Sequence, residues 1–342
     1  MIEQATDVLQ QVAVVIPCYR CADTIAEVVA EIPLQIGSIV CVDDASDDGL
    51  ADVLRGLAAQ DRRLIIVTHE RNSGVGAATI SGYRRAIEQG ARVIVKMDSD
   101  RQMNPAFIPA MVAPIFSGEA DYVKGNRFFD IDHVMQMPAV RLVGNAGLTL
   151  MSRVSSGYWD LSDPTNGFTA IHGEVVALLP LHRLHRRYFF ESDMLFRLNS
   201  FGAAVVEQPI ESRYGNETSH LSVARAIFTF PFLHLRNLLK RLFYNYFLRN
   251  FDVASLYLLA SIMLILFGGI FGALAWLNTA RTGVPATTGT VMLSVMPLLI
   301  GFQLLLAFVH HDLARTPRTP IQRRMNSRRV LVSEQQAGSD GR

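Results

Sequence analysis

Two carboxylates one residue apart, then an amide and a proline, stand where an apolar run ends: "VIVKMDSDRQMNP", Val93 to Pro105. Like charges crowded together repel, so Asp98 and Asp100 need a partner, and a divalent cation is the natural candidate. Residues at i and i+2 of a strand share a face, so at a strand end both acids would reach one ion. Their oxygens are hard ligands suited to Mg2+ or Mn2+, and Gln102 would add an amide oxygen. Water or a substrate phosphate would complete so sparse a ligand set. An ion held there would screen phosphate charge and stabilise a departing diphosphate.

Further polar clusters close other apolar runs. Pro17, Cys18 and Tyr19 end "VAVVIPCY", Asp43 and Asp44 end "SIVCVDD", and Arg71-Asn72-Ser73-Gly74 follows "RLIIVTHE". The glycines of Gly74-x-Gly76 invite comparison with a dinucleotide fingerprint. They follow the third run rather than the first, however, and Thr79 occupies the third glycine position. There is no Walker lysine pattern. Cys18 and Cys21 form C-x-x-C, with Cys41 ending the second run; no second pair follows to make a four-ligand zinc site, so small residues at strand ends are expected.

The elements that would carry these clusters alternate. Continuous apolar runs read as strands buried on both faces. Between them, "DTIAEVVAEIP", "GLADVLRGLAAQD" and "SGVGAATISGYRRAIEQG" have helical spacing, with Asp23 an expected N-cap, Pro33 a stop and Gly90 a C-terminal signal. Strand–helix alternation implies an α/β layer with a mainly parallel sheet. Ligands of such sheets bind at the C-terminal ends of the strands, where all four clusters fall.

Of 342 residues, 32 are Lys or Arg and 31 are Asp or Glu, a balance that gives no footprint for nucleic acid. The start, "MIEQATDVLQQ", lacks a signal-peptide pattern, so the first domain is expected in the cytosol. Half the residues are hydrophobic, and most of the excess follows residue 223. Residues 223–251 mix aromatics and leucines with Arg225, Arg236, Lys240, Arg241 and Arg249, as interfacial amphipathic helices do. Val253 to Leu277 and Gly289 to Val309 are each long and apolar enough to span a bilayer. Gly268 and Gly272 form G-x-x-x-G, a helix-contact pattern. Basic residues flank the pair of spans, whereas the turn between them carries only Arg281, so the positive-inside rule places both termini in the cytoplasm. The expected organisation is a catalytic domain over 1–222, interface helices over 223–251, a transmembrane hairpin over 252–310 and a basic, partly disordered tail over 311–342.

In order, "IPCYR", "VDDASDDG", "RNSGVGAATISGY", "MDSDRQMNP", "YVKGNRF", "VRLVGNAGLTLMSR", "SDPTNGFTAIHGEV", "YFFESDMLFRLNSFG" and "RYGNETSHL" resemble the family 2 glycosyltransferases. Within that family they are most similar to the polyprenyl-phosphate branch of dolichol-phosphate mannose synthase and bactoprenol glucosyltransferase. The resemblance covers roughly residues 12–221. It implies a Rossmann-like GT-A domain that uses a UDP- or GDP-sugar donor and a polyprenyl phosphate acceptor. It also implies a home in the bacterial inner membrane. Pro17, Tyr19 and Asp43 would meet the base, with Asp44, Asn72 and Gly74 completing the nucleotide pocket. Asp98 would be shared between ribose and metal, and Asp100 with Gln102 would hold the metal. Arg127 and Arg141 would receive the acceptor phosphate, and Arg213 and Ser219 would come from a loop over the diphosphate. That loop departs from the family pattern by one extra residue and by His220 where lysine is common. A lipid phosphate is already an anion and needs cations rather than a base; Glu191 and Asp193 are the alternative bases for a hydroxyl acceptor. Rival expectations are a processive polysaccharide synthase, whose Q-x-x-R-W segment is missing, and a non-catalytic nucleotide-sugar binding protein. Anchored hairpins also favour homo-oligomers.

Overall fold

Seven short β-rich runs build one sheet in a computed structural model of the chain, which describes residues 7–129, 139–211 and 223–325. The strands are β1 (Val12–Cys18), β2 (Ser38–Asp43), β3 (Leu64–Thr68), β4 (Val93–Lys96), β5 (Tyr122–Asn126), β6 (Thr169–His172) and β7 (Val205–Pro209), in the order β3-β2-β1-β4-β6-β5-β7. β1 pairs in parallel with β2 and β4, β2 with β3, and β5 with β7, whereas β6 runs antiparallel to β4 and β5. β1 and β4 are buried throughout, as strands covered on both faces must be.

The helices are α1 (Ile25–Glu31), α2 (Leu50–Gln60), α3 (Val75–Glu88), α4 (Ile108–Phe116), α5 (Ala139–Ser156), α6 (Gly173–Leu178), α7 (Phe190–Phe201), α8 (Val223–Phe243), α9 (Val253–Thr282) and α10 (Thr288–Ala314). Two apolar layers cover the two sheet faces, one around Ile16, Val95, Met111 and Phe168, the other around Val15, Tyr83, Ile171 and Leu195. The first helix starts one residue later than expected: Thr24, not Asp23, is its N-cap, and the Thr24 hydroxyl instead donates to Ser99 O at 2.8 Å. Gly90, at φ +79°, takes the left-handed position just beyond α3.

The chain forms two compact units, one of residues up to Leu238 together with those from Pro317 onward, the other Leu239–Thr316. In the first, residues 321–325 are helical and rejoin the sheet domain. The fully buried Asp121 accepts from Ile321 N at 2.7 Å, Gln322 N at 3.1 Å and Ala204 N at 2.9 Å. Gln322 Nε2 donates to Ile115 O and Ala120 O at 3.1 and 2.6 Å.

In the second unit α9 and α10 are long and apolar enough to cross a membrane, and each extends beyond the span read from the sequence. The G-x-x-x-G face is used within this hairpin: Ser294 Oγ donates to Gly268 O at 3.1 Å, and a Cβ on Gly268 would stand 2.7 Å from Ser294 O. Arg241 grips Asp312 with two nitrogens at 2.6 and 2.9 Å, and Tyr246 donates to the same carboxylate at 2.7 Å.

Candidate active site

The parallel strands bring their C-terminal ends to one edge, and the reversed β6 brings its preceding turn, residues 163–168, to the same edge. The loops that follow β1 to β5 and the turn before β6 therefore lie along one edge.

The acidic loop differs from its expected setting. β4 ends at Lys96, so Asp98 and Asp100 lie on the following loop rather than on a strand face, and Arg101 takes a left-handed φ of +61°. Asp100 accepts from Gln102 N at 3.0 Å. Asp98 has a partner in the protein that the sequence did not advertise. The buried Lys96 ammonium lies 2.7 Å from its Oδ1 and 3.1 Å from Glu191 Oε1, and these two carboxylates hold the Lys96 pKa above the usual lysine range against the opposing effect of burial. Asp98 remains one-third exposed, at 33%, which leaves it accessible from the edge.

Asp44 organises the neighbouring loop. Its Oδ1 accepts from Ser73 N at 2.9 Å and contacts His69 Nδ1 at 2.7 Å, while its Oδ2 accepts from Gly74 N at 2.7 Å. Asp43 is likewise buried, with Oδ1 accepting from Ser46 N at 2.9 Å. Asn72 is exposed on that loop, Pro17 is buried at the end of β1, and Tyr19 is exposed beside it. Gly74 has φ +96°, and a Cβ there would stand 2.6 Å from Arg186 O, so glycine is required for both conformation and space. Segment 185–187 thus seats the start of α3, with Ala77 N donating to Arg186 O at 2.9 Å.

Arg127, just beyond β5, is engaged by a residue missed in the sequence. Its Nε and Nη2 grip the fully buried Asp163 at 2.7 and 3.0 Å. Glu207 fixes that turn by accepting from Ser162 N and Asp163 N at 2.6 and 2.7 Å, and from Asn126 Nδ2 at 2.9 Å. Burial raises the Glu207 pKa, although the two backbone donors oppose it. Beneath the turn, the fully buried Lys124 donates to Asn166 O at 2.7 Å, and burial brings its pKa down to about 8. Thr169 on β6 is in register with both Lys96 and Lys124, so the two lysines flank one strand. "SDPTNGF" was the available signal for this turn, visible only as part of a family pattern.

The two candidate bases are occupied. Glu191 pairs with Lys96, and Asp193 accepts from Arg197 Nε, Asn237 Nδ2 and His185 N at 3.2, 3.1 and 3.0 Å. Arg141 lies in the first turn of α5, with its side chain outside the described residues, as are Arg213, Ser219 and His220. Cys18, Cys21 and Cys41 are free and buried; contacts with Cys21 and then Cys41, together with burial, push the Cys18 pKa up, which favours the thiol. No group of three or more His, Cys, Asp or Glu side chains gathers to hold a metal among the described residues.

A mainly parallel sheet with an acid-bearing loop after its fourth strand and a reversed strand beside it defines a GT-A-type α/β glycosyltransferase. The sequence profile of glycosyl transferase family 2 matches residues 13–178. The undecaprenyl-phosphate mannosyltransferase of Micrococcus luteus is 31% identical over 173 residues, which cover 50% of this chain and 70% of that protein. The UDP-N-acetylglucosamine–dolichyl-phosphate N-acetylglucosaminyltransferase of Methanococcus voltae is 29% identical, over 58% of this chain and 84% of that protein. The polyprenol monophosphomannose synthase of Mycolicibacterium smegmatis is 29% identical, over 59% of this chain and 77% of that protein. The fold matches the crystal structure of glucosyl-3-phosphoglycerate synthase from Mycobacterium tuberculosis in complex with Mn2+, UDP and glucosyl-3-phosphoglycerate. The TM-score is 0.53 at 19% identity, over 70% of this chain and 84% of that one. The chain belongs to glycosyl transferase family 2.

Proposed function

We propose that the protein transfers one sugar, with inversion, from a UDP- or GDP-sugar to a polyprenyl phosphate of the undecaprenyl or dolichyl type at the cytosolic face of a bacterial plasma membrane. One observation carries this reading: the three relatives differ in sugar, N-acetylglucosamine or mannose, yet all are named for a polyprenyl acceptor. The constant partner is therefore the lipid. Two apolar helices of 30 and 27 residues agree with a membrane-held acceptor. So does α8, where Phe228, Phe232, Leu235, Leu239 and Phe243 recur every three or four residues and are all exposed, the pattern of a helix lying in the interface. Residues before and after the hairpin belong to one compact unit, which supports a single compartment for both.

The donor's base would lie by Pro17 and Tyr19 near Asp43, with Asp44 acting indirectly by holding Ser73, Gly74 and the start of α3. The oxygens of Asp98, Asp100 and Gln102 are hard donors on an accessible loop, which fits a divalent cation that keeps most of its ligands from water and phosphate. Bound there, Mg2+ or Mn2+ would screen the diphosphate as it leaves. A phosphate oxygen of the lipid attacks the anomeric carbon as the bond to the diphosphate oxygen breaks, and that electron pair leaves on the nucleotide. Inversion follows from the single displacement. No proton has to be removed, consistent with Glu191 and Asp193 being committed elsewhere. Arg127, held by Asp163, and Arg141 would supply the cationic receptor for the acceptor phosphate.

Membranes containing the protein, incubated with labelled nucleotide sugars and polyprenyl phosphate, should yield an acid-labile glycolipid that disappears with EDTA. The Asp100→Ala variant should lose at least about 100-fold in rate, the scale of removing electrostatic support for a leaving group. A labelled glycan on a hydroxyl acceptor, or no product with any donor, would overturn the proposed acceptor. Undiminished turnover by the variant would overturn the metal role of Asp100.

A further inference from the structure

Lys96 has no task in the displacement described above, yet the fold places it with care. It is the last residue of β4, in register with Thr169, and its side chain is 2% exposed. Its ammonium sits between Asp98 Oδ1 at 2.7 Å and Glu191 Oε1 at 3.1 Å, joining the acidic loop to the first turn of α7. The turn before β6 closes over this contact. A Cβ on Gly167 would stand 2.6 Å from Lys96 Nζ and 2.7 Å from Asp98 Oδ2, so a larger residue there would have to displace the ion pair. The acidic loop is fixed independently by Thr24 Oγ1 donating to Ser99 O at 2.8 Å and by Asp98 N against Met103 Sδ at 3.2 Å. The backbone that carries Asp98 is thereby held beside the lysine.

A cation approaching Asp98 meets a fixed positive charge on one of its two oxygens. Without Lys96, Asp98 and Glu191 would lose the ammonium that lies between them, and the acidic loop would attract a divalent ion more strongly. With it, the attraction is partly cancelled until a nucleotide diphosphate brings further negative charge. We propose that Lys96 is an internal counter-ion that keeps the resting site weak for a divalent cation, so that the cation is held firmly only together with the donor. Lys96 is thus a positioning residue acting through Asp98. The inference rests on the reading of Asp98 and Asp100 as serving a metal and a nucleotide diphosphate.

Mn2+ titration of the full-length protein in detergent, followed by the electron paramagnetic resonance of free Mn2+, reads this directly. It is done alone and with UDP or GDP. In the wild type, the nucleotide the enzyme uses should strengthen Mn2+ binding. Lys96→Met should tighten binding of Mn2+ alone by about tenfold, the order expected for removing one nearby unit charge. By reciprocity the strengthening by nucleotide should shrink by a similar factor. General damage to the site would weaken Mn2+ binding instead. The Lys96→Met/Glu191→Gln variant leaves no unpaired Glu191 charge and decides the matter if the single variant does not fold; it too should bind Mn2+ alone more tightly than wild type. Mn2+ affinity unchanged or lowered in the folded variants, or wild-type binding equally tight with and without nucleotide, would overturn the inference. Failure of the wild type to make glycolipid would instead overturn the proposed function while leaving these titrations interpretable.

Discussion

Burial leaves Lys124 with little water to keep it charged. Desolvation lowers its pKa from 10.5 to about 8, with Lys96 adding to the drop and Glu191, Asp163 and Glu207 opposing it. Between those two values the unfolded chain binds the proton and the folded chain does not, so this residue makes stability rise with pH across that window. Thermal midpoints of wild type and Lys124→Met, compared from pH 7.5 to 10, should therefore converge as pH rises, the variant holding its advantage on the acid side. Parallel curves would argue for a lysine that stays charged. At this scale the sequence was legible where polarity interrupts a pattern. Asp98 and Asp100 stand out because they close an apolar run. Lys96 was visible only as a break in that run, because its meaning depends on Glu191, 95 residues away. Arg127 was legible as a cation, but its carboxylate partner Asp163 was not, since no local spacing links the two.

The decisive element is β6, whose reversal puts the turn of Asp163, Asn166 and Gly167 on the edge where the six parallel strands end. Alternating strands and helices announced the parallel half; four-residue β6, preceded by the 18-residue α5, carries no comparable signal. The contact of α8 with the sheet domain was hidden for the same reason, being a matter of tertiary packing. His234 of α8 lies against Ser155 of α5, Nδ1 to Oγ 2.7 Å, and burial lowers its pKa to about 4. The unfolded histidine gains a proton near its ordinary pKa of 6.5, whereas the folded one resists. Stability should therefore fall as pH drops from about 6.5 to about 4. Replacing His234 with Gln, which keeps a partner for Ser155, should flatten that part of the curve in denaturant midpoints; an unaltered slope would assign the acid sensitivity elsewhere.

Across the whole molecule, the hairpin was plain from composition because spanning segments need length and apolarity and little else. That residues after it return to the catalytic unit was not, since Gln322 and Asp121 share no pattern. The docked segment also pairs two buried carbonyls through Gln322 Nε2, and leaving such a group unpaired costs about 1–3 kcal/mol. Gln322→Ala should accordingly lower the midpoint of catalytic-unit unfolding and speed limited proteolysis near residues 317–325; unchanged cleavage would show that the clasp contributes little. The same clasp orders events in time. Asp121 is made early, but two of its three backbone partners belong to residues 321 and 322, which leave the ribosome only after both apolar helices. A chain folding as it is synthesised therefore carries an unfinished sheet domain until residues 321 and 322 emerge, and the catalytic unit closes last. Both apolar helices are thus made before the enzyme is complete.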